Sequence, residues 1–393
     1  MGRRESDLRS GLGRAGRFVR EYTAGVRGGD LRRLFREDAA DAYQVLTRDQ
    51  PQVPESAEGA RAFFQRVRLL FLGLSYQLSP PRRLLFALAI LLALIGSCRI
   101  EYTTGAGVHI GTSTGALIVS VAVLVFLLAL ELVDRVRVRD ELEVARELQR
   151  QLLPREAPDL PGWRIAHSYR TANEVGGDYY DFRRLPDGRV AVVAGDASGH
   201  GIAAGLLMVI AHSTLKLAFD QDPRPRAVLP MVNKAIAAAG GRRAFLTLFY
   251  GLLDPETGRL DYICAGHPFP LLRRAGGRVR EIGSGALPLG IRESIELATE
   301  SVTLEPDDLL LIYSDGIPEV LRRSTGETFG FQRMRDLAAA GGTAQETHDR
   351  VLSAFDGFLA GEPQTDDISL VVLHRLPAVP PPPPPPPAPG GPS

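Results

Sequence analysis

VAVVAGDASGHG, Val190 to Gly201, is the stretch on which the fold turns. It opens as a short apolar run rich in β-branched valine, the texture of a buried strand, and ends in an aspartate set among glycines. A carboxylate at a strand end beside glycine can face inward while the main chain closes on a ligand. The same arrangement recurs with Asp178 in VGGDYYDF, Asp315 in LLIYSDGIPE and the pair Asp366-Asp367 in QTDDISLVV. Any one of these aspartates is most simply a turn or capping residue. Four such places predict one cluster, and clustered carboxylates repel each other unless a cation neutralises them. All-oxygen ligands favour a hard divalent ion, Mg2+ or Mn2+, over zinc.

Outward from that stretch, residues 162–376 are built of short β-rich runs: Phe245 to Asp254, Leu260 to Gly266, Leu309 to Asp315 and Ile368 to Arg375. Pro186-Asp187-Gly188, Pro255 to Gly258 and Gly276-Gly277 punctuate them as turns. Helices are expected over Ile202 to Asp220, Pro225 to Ala239, Gly330 to Ala340 and Ala344 to Ala360. Many strands in hairpins with few helices predict an α+β sandwich rather than a parallel sheet.

The front of the chain differs. Two uncharged runs, Leu84 to Cys98 and Ala116 to Leu130, read as a transmembrane helical hairpin over 84–133, with spans at about 84–100 and 114–133. Each core run is shorter than the roughly 20 residues that cross a bilayer, but the second extends back through small residues to Gly105 and on to Val133. Arg82 and Arg83 flank the entry, and Arg135, Arg137 and Arg139 the exit, so both ends are expected on the cytoplasmic side of the membrane. No cleaved leader is expected, since no apolar run falls within residues 1–30. Two buried helices of a soluble domain are the bland alternative. Residues 1–83 are basic and amphipathic, notably Ala62 to Leu78, and suit an anionic leaflet or a small helical domain. Residues 134–153 form a linker helix in which Val138, Leu142, Ala145, Gln149 and Leu152 recur at coiled-coil spacing. That seam suits a homodimer, or else a plain connecting helix. The segment 154–376 is then the main domain, and the proline tract 377–393 an extended tail.

With 393 residues, 45 % hydrophobic, the chain can hold two or three structural units. Its 46 basic and 46 acidic residues balance to a net charge of +0, so no global field points to nucleic acid, and none is expected as a partner. Two cysteines, Cys98 and Cys264, stand far apart in apolar runs and build neither a disulfide framework nor a thiolate metal site.

ELQRQLLP (147–154), EVGGDYYDF (174–182), GDASGHG (195–201), FLTLFYGLLD, AGHPFPLL (265–272), LPLGI (287–291), YSDGIPE and TDDISLVV occur in order over residues 145–376. Together they resemble the PPM-type (protein phosphatase 2C-like) serine/threonine phosphatases, in particular the SpoIIE-like bacterial branch acting on sigma-factor regulators. The resemblance implies a β-sandwich flanked by helices and two divalent cations, Mn2+ or Mg2+. It implies that Asp196 bridges them, that the carbonyl of Ala197 ligates one, that Asp315 and Asp366 hold the other, and that Asp178 binds directly or through water. Asp367 is expected to support the loop and Asp181 to be a local structural residue. Ala197 where many members have glycine, Pro318 where threonine is frequent, and Phe269 after AGHP depart from the commoner pattern and bear on substrate shape. No arginine matches the phosphate clamp of the eukaryotic branch.

The implied reaction is hydrolysis of phosphoserine or phosphothreonine on a cytoplasmic, anti-anti-sigma-like phosphoprotein, by a water activated between two metals. His200, close to Asp196, is a candidate general acid, whereas His267 more simply fixes a turn. Cys264 as a nucleophile is disfavoured against a core thiol. The alternative from another class is a catalytically silent membrane domain that binds a phosphoprotein; degenerate members of that kind would have lost metal aspartates, and all four are present here.

Overall fold

The computed structural model describes residues 60–97, 101–103, 109–111, 113–172, 175–199, 201–240 and 244–377. The expected basic segment up to residue 59, the proline tract from 378 and His200 lie outside the described residues. The chain divides into two units, Met1–Val136 and Arg137–Ser393.

The first unit holds α1 (Ala60–Gln77), α2 (Pro80–Ser97), a small hairpin of β1 (Glu101–Thr103) and β2 (His109–Gly111), and the start of α3 (Ser113–Leu152). Where the sequence suggested only a loop between the apolar runs, three residues on each side pair antiparallel. α2 and α3 are long and apolar enough to cross a membrane. Their leucines and valines point outward: Leu84, Leu94, Ile118 and Leu128 are all exposed. Polar side chains pair between the two helices. Ser120 Oγ donates to the Ala89 carbonyl at 2.7 Å, and near the helix ends Arg82 pairs with Asp134 at 2.5 Å and Glu131 at 3.6 Å. The second apolar run and the linker form one continuous helix, because no glycine or proline interrupts residues 116–152.

The second unit is a sandwich of two five-stranded antiparallel sheets. β3 is Trp163–Arg170, β4 Asp178–Arg184, β5 Val190–Ala197, β6 Leu246–Leu253, β7 Arg259–Ala265, β8 Leu271–Arg273, β9 Val279–Glu281, β10 Glu300–Thr303 and β11 Leu309–Tyr313. After a minor hairpin of β12 (Leu321–Arg322) and β13 (Glu327–Thr328), β14 is Ile368–Arg375. The sheets run β10-β7-β6-β5-β4 and β3-β14-β11-β8-β9. The helices are α4 (Ile202–Gln221), α5 (Pro225–Gly240), α6 (Phe331–Ala339) and α7 (Ala344–Leu359). α4 is a third helix apolar enough to cross a membrane, but half of it is buried within this unit.

Strand alternation explains the layers. Leu310, Ile312, Val371 and Leu373 join the main core with β5, β6, α4 and α5, whereas Leu309, Leu311, Leu370 and Val372 pack with α6 and α7. Both faces of β11 and β14 are thus covered, so their sequences read as unbroken apolar runs. The α+β sandwich and all four expected helices are present within a residue or two; the short strands β8, β9 and β10 were not distinguishable by pattern.

Candidate active site

Antiparallel pairing of β4 with β5 sets Asp178 opposite Asp196. Opposed residues share a face, so the two carboxylates converge from neighbouring strands. Asp178 is 1 % exposed, and its Oδ2 has no hydrogen-bond partner. Asp315 follows β11, and Asp366 and Asp367 precede β14, so the second sheet brings its acids to the same end of the sandwich. Gly316 is required there, since any Cβ on it would run into the main-chain carbonyl of Asp367.

The charges feel one another. Burial first, and then the charge of Asp196, pushes the Asp178 carboxyl well above the usual range. Asp196 is pushed up to about 8 by burial and by the charges of Asp315, Asp366 and Asp367. Asp315 rises to about 6 through burial, Glu319 and Asp366. A buried carboxylate with one oxygen unpartnered, beside three further acids, fits the demand for a divalent cation, and the donor set is all oxygen. Among the described residues, no three of the acids are gathered tightly enough to form a finished cage.

Asp367 has a different task. It is buried, and its carboxylate accepts from the Gly177 N–H at 2.6 Å and the Ala172 N–H at 2.8 Å. Neighbouring Asp366 is exposed; its carboxylate accepts from the Asp367 N–H at 2.9 Å and its carbonyl from Gln364 Nε2 at 2.6 Å. Gly177 in turn accepts from the Ala197 N–H at 3.1 Å. A Cβ on Gly177 would lie 2.8 Å from the Ala197 carbonyl and 3.0 Å from Asp196 Oδ1, which is why this position takes glycine. The structure therefore brings Asp178, Asp196, Ala197, Asp315 and Asp366 to one end of the sandwich, and separates Asp367 from them as a loop support.

The remaining candidates sort by burial. His267 is buried, with Nδ1 at 3.2 Å from Thr247 Oγ1, and burial drops it to about 3, so it is a neutral structural group. Cys264 donates to the His267 carbonyl at 3.1 Å, and burial pushes its thiol up to about 12: a core thiol. Asp181 accepts from Tyr179 Oη at 3.1 Å and the Phe182 N–H at 2.8 Å, a local structural role. Beside Asp315 lies a cavity of about 310 Å³, lined among others by His267, Phe269, Tyr313, Glu319 and Phe331.

Two residues escaped the sequence reading. Tyr169 has a buried hydroxyl without a partner, held far above its usual range by burial and by the charges of Asp367, Asp178 and Asp196. Gln149, assigned by its spacing to a helix seam, is instead buried in the domain. Only its position five residues before Pro154, in a helix about to dock, could have signalled this.

Comparison with known proteins agrees with this geometry. The sequence model of the stage II sporulation protein E (SpoIIE) family matches residues 186–376. Protein IcfG of Synechocystis sp. is 30 % identical over 277 residues, 63 % of this chain and 43 % of that protein. Phosphoserine phosphatase RsbP of Bacillus subtilis is 25 % identical over 206 residues, 51 % of this chain and 50 % of that one. The chain thus spans about half the length of these relatives. Phosphoserine phosphatase RsbU of the same organism is 26 % identical over 252 residues, covering 61 % of this chain and 71 % of its own. In fold, the SiaA-PP2C domain of Pseudomonas aeruginosa superposes with a TM-score of 0.55 at 21 % identity, over 61 % of this chain and 98 % of that domain. Residues 186–376, within the C-terminal unit, are thus similar to the SpoIIE family, and that unit shares the fold of a PP2C domain.

Proposed function

We propose that this chain is a membrane-anchored, metal-dependent protein phosphatase that hydrolyses phosphoserine or phosphothreonine on a cytoplasmic regulator of the anti-anti-sigma kind. The observation that carries the reading is the opposed pair Asp178 and Asp196, buried at the end of the sandwich where Asp315 and Asp366 also arrive. Asp196, the Ala197 carbonyl, Asp178, Asp315 and Asp366 would hold two divalent cations, Mn2+ or Mg2+. When bound, these supply an activated water and neutralise charge on the phosphoryl group. The protein's own part is positional. Asp367 fixes Gly177, Gly177 fixes Ala197, and the β4–β5 register fixes the opposed carboxylates. His200 is the candidate donor to the leaving serine oxygen.

α2 and α3 would anchor the domain, with the flanking arginines holding both ends on the cytoplasmic side. Pairing of two copies along α3 is supported by Val144 and Leu148, one turn apart and both exposed, rather than by the face that contains Gln149. The reading is tested by phosphate release from phosphoserine and phosphothreonine peptides by the full chain in detergent. Turnover is expected with Mn2+ or Mg2+ and none after chelation; equal turnover in metal-free buffer would overturn it.

A further inference from the structure

Gln149 belongs to the last turns of α3, where its neighbours Leu148 and Arg150 are exposed and it alone is buried, at 4 % exposure. Leu152 and Leu153 follow it into the main core. The Gln149 side-chain amide makes two bonds to one residue: Nε2 donates to the Gly176 carbonyl at 2.5 Å, and Oε1 accepts from the Gly176 N–H at 3.0 Å. That is the exchange a neighbouring strand makes with a hydrogen-bonded residue in an antiparallel ladder. The glutamine thus stands in for a strand just before β4 begins.

Gly176 and Gly177 present four polar main-chain groups between them. Of the four, Gln149 satisfies both on Gly176, Asp367 takes the Gly177 N–H, and Ala197 donates to the Gly177 carbonyl. The two glycines have no side chains of their own to hold the segment. A Cβ on Gly176 would strike Tyr169 and Asp367, and one on Gly177 would press on Ala197 and Asp196. Paired glycines are the most flexible main chain available, so without an external clamp this segment would not hold Asp178 and the Ala197 carbonyl in register.

We propose that Gln149 is a positioning residue for the metal centre: its amide clamps Gly176 and thereby orders the ligands on either side, Asp178 and Ala197. The inference rests on the phosphatase reading above only where it speaks of metal. It would also make the end of α3 part of the site's architecture, so that displacing this helix turn loosens the ligands without touching them.

The test uses the full chain in detergent, with Gln149→Met, which keeps length and volume but neither bond, and Gln149→Glu, which keeps an acceptor for the Gly176 N–H. Hydrogen exchange followed by mass spectrometry and Mn2+ binding followed by calorimetry are the readouts. Losing two buried hydrogen bonds should weaken Mn2+ binding about tenfold in Gln149→Met, with a smaller loss in Gln149→Glu. Exchange should quicken in peptides covering residues 175–182 while those from α7 and β14 keep wild-type protection. Wild-type exchange and Mn2+ affinity in both variants would overturn the proposal, and so would exchange that quickens evenly across the domain. A wild-type chain that hydrolyses no phosphoester would overturn the phosphatase reading alone, with the exchange pattern still deciding the clamp.

Discussion

Adjacent aspartates with opposite duties offer a sharp test. Replacing Asp367 by Ala strands the Gly177 and Ala172 N–H groups, which now donate to its carboxylate at 2.6 and 2.8 Å. Hydrogen bonds to a charged acceptor contribute about 1.5 to 3 kcal/mol each, so two would suggest a loss of roughly 3 to 6 kcal/mol. Burial of the Asp367 carboxylate among other acids offsets part of this, as its upward-shifted acidity shows. A net cost of about 2 to 4 kcal/mol corresponds to a fall in Tm of roughly 5 to 15 °C for a domain of this size. Asp366→Ala loses one exposed hydrogen bond and should cost about 1 kcal/mol or less. Trp163, the sole tryptophan, is buried in β3 beside β14 and reports unfolding by its fluorescence. Melting both variants in chelator should show a large drop for Asp367→Ala and a small one for Asp366→Ala. Equal melting temperatures, or the reverse order, would refute the division of roles.

Three further outcomes follow from the geometry. His212 is buried against Tyr179, at 3.0 Å from its hydroxyl, and burial lowers it to about 4. The unfolded chain takes up a proton near pH 6.5 that the folded chain refuses, so this group's stability is present above pH 6.5 and is lost as pH falls towards 4. Denaturant titrations across that window should show a shallower pH slope in His212→Gln, and identical slopes would remove the assignment. In a Cys98→Ser background, a cysteine placed within β1 or β2 should be labelled from outside the cell and one at Glu147 should not; the opposite pattern would invert the topology. If two copies pair along α3, Leu148→Arg should shift the detergent-solubilised chain towards monomer in sedimentation, whereas an unchanged mass would leave α3 as a tether.

The fold was legible where burial imposes its period on the sequence. Val190 to Ala197 and Ile368 to Arg375 are covered on both faces, and their apolar runs give them away almost to the residue. β8, β9 and β10 are three or four residues long, too short for a period to register. The metal candidates were legible because aspartate beside glycine at a strand end is locally unusual. Asp367 was told from Asp366 only by the family resemblance, and Gln149 shows what a linear pattern hides. Asp367 differs from Asp366 only in which way the strand turns it, and Gln149 satisfies helical spacing as well as any seam residue would. Its true partner, Gly176, lies 27 positions away and is recognised by main-chain atoms that carry no side-chain signature.

On the function proposed above, the buried carboxylates opposed across β4 and β5 make this domain a metal-dependent phosphatase. The most direct test is phosphate release from a phosphoserine protein by the full chain at saturating Mn2+, comparing wild type with Asp196→Asn, with Trp163 fluorescence confirming that both are folded. Turnover is expected from the wild type and its loss, by a factor on the order of a thousand or more, in a folded Asp196→Asn chain, since a neutral amide would hold divalent cations far more weakly than a carboxylate. Comparable turnover by the two chains would contradict it.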